Sequence, residues 1–196
     1  YSQYAEFAVM DDMIYAAVPN ASGTLELWKS DGTAAGTSLV YTGNGPYSNN
    51  RGIPGMIVWR DALYFTDDNT AKLYKLPPGS STPQELATLS FQDGIHGQSF
   101  LPLEDRLLFF SKQNDGEIWK TDGTPEGTEK IGDAFPGFPA IDPNNPPVAS
   151  GIAVFAGSTD DHGREPWVSD GTSDGTHLLK NLSEKPASSH VTHMIA

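Results

Sequence analysis

One pentapeptide has the spacing of a hydrolase nucleophile. Gly171-Thr172-Ser173-Asp174-Gly175 fits G-x-S-x-G, in which serine at a sharp strand-to-helix turn attacks an acyl carbon. The equivalent segments of two similar stretches contain no serine; they read Gly32-Thr33-Ala34-Ala35-Gly36 and Gly123-Thr124-Pro125-Glu126-Gly127. Because no helical periodicity follows, the context that the motif requires is missing. We therefore predict no catalytic residue and interpret the chain as a protein that is not an enzyme.

Acidic side chains are the next candidates for chemistry, since carboxylates bind Ca²⁺. Calcium takes about six to eight oxygen ligands, many of them from one loop. No D-x-D-x-D-G run with a trailing glutamate is present. We predict that the turn acids cap turns instead, and that the protein needs no metal and no other cofactor. Asp160 and Asp161, in an Asp-Asp-His-Gly loop, remain the candidate ligands for Ca²⁺.

Aromatic side chains could form a binding surface. Trp28, Trp119 and Trp167 could line a sugar platform, but we predict that they pack between sheets, where a large ring gains most from burial. Phe135 and Phe138 are better binding candidates because they lie on a Pro-rich connector. The alternative is that these two rings cover part of the repeat array, since exposed apolar patches are unusual.

Several of these candidates belong to a repeated phrase, W-x-x-D-G-T-x-x-G-T, at positions 28–37, 119–128 and 167–176. A degraded copy has Tyr74 in the tryptophan position, and the four aromatic positions are 46, 45 and 48 residues apart. A period in this range indicates one repeated supersecondary unit. The shared positions are predicted to be structural: Trp28, Asp31, Gly32, Thr33, Gly36 and Thr37; Trp119, Asp122, Gly123, Thr124, Gly127 and Thr128; Trp167, Asp170, Gly171, Thr172, Gly175 and Thr176.

The phrase is typical of a hairpin corner. The aromatic residue closes one strand, Asp-Gly breaks it because Asp accepts turn hydrogen bonds and Gly permits positive φ, and the final Thr opens the next strand. Four short strands can be assigned to each unit, and the second strand is apolar along its length, as in Leu107-Leu108-Phe109-Phe110. Such strands are predicted to be buried on both faces.

The fold prediction is therefore all-β: a propeller-type array of four-stranded antiparallel blades within one domain, residues 1–196. A stacked β-solenoid is the alternative, although its repeats are usually shorter. The units are 1–44, 45–90, 91–133 and 134–186, and 187–196 is predicted to open a further unit. We interpret the chain as a processed form or part of a larger chain or assembly.

Composition limits the partners. The net charge of −13 opposes binding to nucleic acid or to an anionic membrane surface. The absence of cysteine excludes disulfides and thiol catalysis. No apolar run reaches the roughly 18 residues of a membrane span, so no membrane insertion is predicted.

The phrase also resembles a known repeat. Leu25–Thr33, Glu117–Thr124 and Glu165–Thr172 are similar to the ELWxxDGT repeat of bacterial surface and secreted proteins, which is compared with hyalin-like repeats. The resemblance implies a propeller-like repeat in an exported protein without established catalytic activity. It transfers no functional residues, because the shared positions look structural.

These observations together predict a non-catalytic scaffold, adhesion or self-assembling protein outside the bacterial cell or on its surface. Its partners would be other protein subunits or its own copies. A glycan-binding, lectin-like propeller is the first alternative, and an enzyme with a site in the mouth of the ring is the second. Residues 187–196 would either begin another blade or pair with a neighbouring subunit, because an unpaired apolar strand is a template for strand addition.

Overall fold

The computed structural model describes residues 6–43, 55–67, 70–89, 100–111, 117–133, 147–157 and 164–182. Within these ranges every regular element is a β-strand, and the strands form four antiparallel sheets of four. This confirms the prediction of an all-β fold built from four-stranded antiparallel units. The strands are β1 Glu6–Met10, β2 Met13–Pro19, β3 Leu25–Ser30 and β4 Ser38–Thr42; β5 Met56–Trp59, β6 Ala62–Asp67, β7 Lys72–Leu76 and β8 Gln84–Thr88; β9 Phe100–Pro102, β10 Leu107–Ser111, β11 Glu117–Thr121 and β12 Glu129–Asp133; β13 Val148–Ala149, β14 Ile152–Gly157, β15 Glu165–Ser169 and β16 His177–Leu178.

The strands follow one another in chain order within each sheet, so every connection is a hairpin. The turns after β1 and β5 are two residues long, and both residues of each turn have positive φ. Such turns match the right-handed twist of the flanking strands. They lie at Asp11-Asp12 and Arg60-Asp61.

The chain forms two compact units, Tyr1–Gly97 and Gln98–Ala196. The first unit contains the first and second sheets (β1–β4 and β5–β8), and the second unit contains the third and fourth sheets (β9–β12 and β13–β16). That residues 1–196 form a single domain stays a prediction. The strand expected at 187–196 lies outside the described residues.

Each sheet has two distinguishable faces. We call the face that carries the repeated aromatic residue (Trp28, Tyr74, Trp119 or Trp167) the front face, and the opposite face the back face. The cross-strand partner of the aromatic residue on the second strand lies on the front face in every sheet: Ala16, Phe65, Phe109 and Phe155.

The hydrophobic core of each unit lies between its two sheets. In the first unit the back face of the first sheet, including Tyr15 and Leu27, packs against Leu63 and Phe65 on the front face of the second. In the second unit the back face of the third sheet packs against the front face of the fourth, which contributes Phe155. In both units, therefore, the front face of the second sheet of the pair is covered by the back face of the sheet that precedes it.

Burial of the second strand differs from the prediction in two sheets. All of β6 is buried, and so are Leu107–Phe110 of β10, as predicted. The prediction is wrong for β2 and β14, where Ile14 and Ile152 are exposed. The physical reason is that each of these residues lies on the face opposite its unit's core. The core of the first unit lies on the back face of β2, where Tyr15 is buried, and Ile14 is on the front face. The core of the second unit lies on the front face of β14, where Phe155 is buried, and Ile152 is on the back face.

A β-bulge that the sequence did not reveal lies beside the repeated aromatic residue. Leu27 pairs with Tyr41 whereas Trp28 pairs with Leu39, which leaves Val40 as an extra residue on β4. The same irregularity occurs at Leu73/Tyr74 and Ile118/Trp119 in the second and third sheets. Bulges bend a strand and increase its local twist. The fourth strand therefore curves where it leaves the corner.

Candidate functional site

The candidate site is the corner that the phrase builds. In the first copy, the Asp31 carboxylate accepts hydrogen bonds at Oδ1 from the Thr33 backbone N–H (2.8 Å) and the Thr33 hydroxyl (2.7 Å). The Thr33 hydroxyl oxygen accepts a bond from the Gly36 N–H at 3.0 Å. Thr37 donates its hydroxyl to the Thr33 carbonyl at 2.6 Å. One carboxylate and two hydroxyls thus fix the loop from both ends.

A serine that the sequence analysis missed completes this network. Ser30 Oγ lies 2.7 Å from Thr37 Oγ1 and accepts the Gly32 N–H at 3.0 Å. Since the Thr37 proton is donated to the Thr33 carbonyl, Ser30 is the donor to Thr37. The signal was present in the sequence, because the third position of the phrase carries a hydroxyl in all three copies: Ser30, Thr121 and Ser169.

The corners of the third and fourth sheets repeat these contacts. The hydroxyl pairs Thr121–Thr128 and Ser169–Thr176 are both 2.7 Å apart. The Asp122 and Asp170 carboxylates accept the Thr124 and Thr172 hydroxyls at 2.7 Å, and the bonds from Gly127 and Gly175 recur at 3.0 and 2.9 Å. Three segments with different intervening residues therefore reach one geometry, and the shared positions determine it.

Each of the two glycine positions in the phrase requires glycine for a different structural reason. Gly32, Gly123 and Gly171 have φ of 91°, 93° and 83°, a region that residues with a β-carbon rarely adopt. Gly36, Gly127 and Gly175 are needed for space, because a β-carbon there would lie within 2.0–2.1 Å of the corner carboxylate. The carboxylate that orders the loop and the glycine that admits it are therefore a matched pair.

The corner also sets the ionisation of its acid. The Thr33 hydroxyl, followed by the Thr33 backbone N–H, lowers the pKa of Asp31 below its ordinary value. The equivalent Thr172 donors lower the pKa of Asp170, and the positive charge of Arg106 adds to that effect. Hydrogen bonds to the charged form favour ionisation, so these carboxylates stay ionised as structural acceptors.

The tryptophans have polar partners that the sequence analysis did not nominate. Trp28 donates its Nε1–H to Glu26 Oε2 at 2.9 Å, and Trp119 donates to Glu117 Oε2 at 3.0 Å. Each glutamate lies two residues before the tryptophan, on the same face of the strand. The signal was the glutamate at this position in all three copies, including Glu165, which is fully buried and accepts the Leu182 N–H at 3.0 Å.

The tryptophan rings themselves are half-buried. Trp167 packs against the core of the second unit, and Trp119 stacks on Phe109 with ring centroids 6.1 Å apart. Trp28 lies in a cross-strand row with Phe7, Ala16 and Leu39. The three equivalent rings therefore have different neighbours, although they occupy one position in the repeat.

The serine of the G-x-S-x-G match has a structural role. Ser173 Oγ donates to the Ile131 carbonyl of β12 at 2.5 Å, and the segment that follows it is β16 rather than a helix. Arg106 also contacts this corner, with Nη1 3.5 Å from the Gly171 carbonyl. In the first unit, Lys29 Nζ donates to Ser81 Oγ at 2.6 Å. Within each unit, the turn after the third strand of one sheet is thus held by the sheet before it.

The other nominated residues are Phe135, Phe138, Asp160 and Asp161, and they lie outside the described residues. Among the residues that the structure places, no three His, Asp or Glu side chains form a group that could hold a metal ion. In that same part of the chain, no helix has the length and apolar character of a membrane span.

No protein-family model and no curated protein matches this sequence. Solved structures do match it. A puromycin hydrolase aligns with TM-score 0.60 and 13% identity, covering 88% of this chain and 28% of its own. A puromycin-hydrolyzing peptidase of Mycobacterium tuberculosis aligns with TM-score 0.60 and 17% identity, covering 95% and 30%. A chain of the nidogen/laminin complex aligns with TM-score 0.50 and 13% identity, covering 91% and 64%.

These similarities concern the fold. The chain spans less than a third of the length of the two hydrolytic enzymes that it matches. The structural neighbours are propeller-type proteins. At identities of 13–17%, the similarity shows a propeller-like all-β fold, built here from four four-stranded antiparallel sheets.

Proposed function

We propose that this chain is a non-catalytic scaffold, built as a propeller-type array of four-stranded blades, that acts through contacts with its own copies or with other protein subunits. The observation that carries this proposal is the corner network. Its Asp, Ser and Thr side chains are bonded to one another and to the loop backbone in three copies. The repeated residues thus hold the turn in one conformation, and their hydrogen-bonding groups are used within the fold.

The stacking of the sheets supports the same conclusion. In both units the front face of one sheet is covered by the back face of the sheet before it, and polar contacts such as Ser173 to the Ile131 carbonyl join the two sheets. A repeat with one uniform front-on-back contact can be extended by adding further sheets, as repeat arrays are. That property suits a building element.

A location outside the bacterial cell, or on its surface, belongs to the same proposal. It rests on the resemblance of Leu25–Thr33, Glu117–Thr124 and Glu165–Thr172 to the ELWxxDGT repeat. Protease treatment of intact source cells, followed by detection of the chain, tests this location. Loss of the chain from intact cells supports the proposal, and protection until the cells are lysed contradicts it.

Glycan binding is a second candidate, and one observation favours it. Trp28 is half-buried on the front face of the first sheet, with the Glu26 carboxylate at its ring nitrogen. A sugar ring can stack on an aromatic face. A carboxylate beside that face can accept hydrogen bonds from the sugar hydroxyls. A glycan array with wild-type protein and Trp28→Ala tests this candidate. Signals that the substitution abolishes would favour a lectin over a scaffold.

The scaffold proposal is tested by the mass of the protein in solution. Light scattering at increasing protein concentration should show a mass that rises above that of one chain and falls again on dilution. Reversible self-association of this kind is expected of a building element that assembles through its own copies. A single-chain mass at every concentration would contradict self-assembly.

A further inference from the structure

The front face of the first sheet is apolar and exposed. Phe7, Ala16, Trp28 and Leu39 form one cross-strand row on this face, and Val9 and Ile14 pair beside it. Four of these side chains are exposed to solvent: Phe7, Val9, Ile14 and Leu39. Contiguous exposed apolar surface marks an interaction site in soluble proteins.

Phe7 and Ile14 on this face are exposed, whereas the equivalent residues that the structure describes in the other sheets are buried. Phe7 is 65% exposed, whereas Met56 and Phe100, in the same row of the second and third sheets, are 9% and 5% exposed. Ile14 is 45% exposed, whereas its equivalents Leu63, Leu107 and Ala153 are fully buried. The first sheet therefore presents a surface that the repeat elsewhere buries.

The corner of the first sheet is also more exposed than the equivalent corners, as its polar residues and glycine show. Its internal hydrogen bonds match those of the other corners, so its geometry is not what differs. Thr121 and Ser169 are fully buried, but the equivalent Ser30 is only half-buried. Gly123 and Gly171 are buried, but Gly32 is exposed. The whole edge of the front face, and not its apolar centre alone, is uncovered.

A second, partly exposed apolar surface lies on the fourth sheet. On its back face Ile152 is 45% exposed, and Val154 and Pro166 are half-buried. The positions equivalent to Val154 and Pro166 in the other sheets are buried: Tyr15, Tyr64 and Leu108 for the first, and Leu27, Leu73 and Ile118 for the second. One chain thus carries an exposed front face and a back face that is exposed at Ile152 and half-exposed at Val154 and Pro166; Ala156, on that same back face, is buried.

We infer that the front face of the first sheet docks the back face of the fourth sheet of a second copy of this chain. The contact repeats the front-on-back packing that joins the two sheets of each unit. Because two different surfaces meet, the interface is heterologous, and it produces closed rings or open filaments according to the rotation between copies. This inference rests on the proposed self-association and names the surfaces that carry it.

The test uses two single substitutions on opposite faces. Phe7→Glu places a charge on the front face, and Ile152→Glu places one on the back face; both positions are exposed, so the fold should tolerate the change. Each variant alone should be monomeric by light scattering, since its copies offer only one competent surface. Gln84→Glu, an exposed position on β8, adds the same charge and should assemble like the wild type.

Mixing the two variants gives the decisive outcome. A Phe7→Glu chain keeps its back face and an Ile152→Glu chain keeps its front face, so the mixture should form a one-to-one dimer and nothing larger. The inference is overturned if the wild type assembles and both variants assemble equally well. It is also overturned if deletion of residues 187–196 abolishes assembly while Phe7→Glu does not, because strand addition would then carry the contact.

Two further outcomes separate this inference from the proposal on which it rests. A wild type that assembles, with no dimer in the mixture of variants, rejects the docking surfaces but keeps the scaffold. A monomeric wild type whose melting temperature falls in both variants shows that the faces are covered within one chain, which rejects the docking surfaces and the self-assembly together.

Discussion

A β-carbon on Gly127 would stand 2.1 Å from Oδ1 of Asp122, the carboxylate that orders the corner of the third sheet. Asp122 holds the loop through the hydroxyl and N–H of Thr124, and Thr124 in turn accepts the Gly127 N–H. The glycine is thus close to the acid because a threonine bridges the two residues. This relationship recurs at Gly36 with Asp31 and at Gly175 with Asp170.

We predict that Gly127→Ala lowers the free energy of unfolding by about 1–3 kcal/mol, the usual cost of forcing an extra methyl into a filled site. Gly132→Ala is the matched control, because a β-carbon at Gly132 meets nothing within 4 Å and its φ is not positive. Urea titration of both variants measures the difference.

The double variant Gly127→Ala with Asp122→Ala identifies the cause. Removing the carboxylate alone should cost about 1 kcal/mol, as the loss of a side-chain cap does. If the methyl group clashes with that carboxylate, the double variant should be more stable than the sum of the single effects predicts. Additive losses would mean that the strain at Gly127 lies elsewhere.

Much of this fold could be predicted from the sequence because its local signals are strong. Asp11, Asp12 and Asp61 suit tight turns because aspartate tolerates the left-handed conformation, and the phrase marks three of the four corners. The all-β assignment and the four-stranded units follow from these signals together with short apolar runs such as Leu107–Phe110.

Burial could not be predicted in the same way, because it depends on neighbours. The second strands β2 and β10 have similar apolar sequences, yet Ile14 is exposed and Leu107 is fully buried. Burial of a front face depends on what packs against it, and no local pattern in the sequence reports that. The bulge at Val40 was also missed, since it arises from a one-residue difference in length between paired strands.

The repeated tryptophan should contribute through both its ring and its N–H. Trp119→Ala should lower the free energy of unfolding by about 3 kcal/mol, the low end of the usual range, because the ring is only half-buried. Trp119→Phe keeps an aromatic ring against Phe109 and loses the bond to Glu117, so it should cost about 0.5–1.5 kcal/mol. Chemical denaturation ranks the two variants, and equal losses would show that the ring contributes nothing beyond its hydrogen bond.

The corner carboxylates should make the fold sensitive to acid. Folding lowers the pKa values of Asp31 and Asp170. Their stabilisation is therefore fully present above the unfolded-state pKa of about 3.9, and it is lost as the pH falls through the lower folded-state values. Thermal melts between neutral pH and about pH 2 should show a steeper loss of stability for wild type than for Asp170→Asn. Parallel curves would show that Asp170 does not titrate with folding.

Self-association should strengthen with salt. The chain carries a net charge of −13, so two copies repel each other at low ionic strength. The faces proposed to meet are centred on apolar residues, Phe7 and Ile14 on one copy and Ile152 on the other. Salt screens the repulsion, because the Debye length shrinks from about 30 Å at 0.01 M to about 8 Å at 0.15 M, and apolar contacts do not depend on that screening.

The mass measured by light scattering should therefore rise with sodium chloride at constant protein concentration, and Phe7→Glu should remove the response. A mass that falls with salt would mean that charged pairs hold the copies together, and it would contradict docking through these apolar faces.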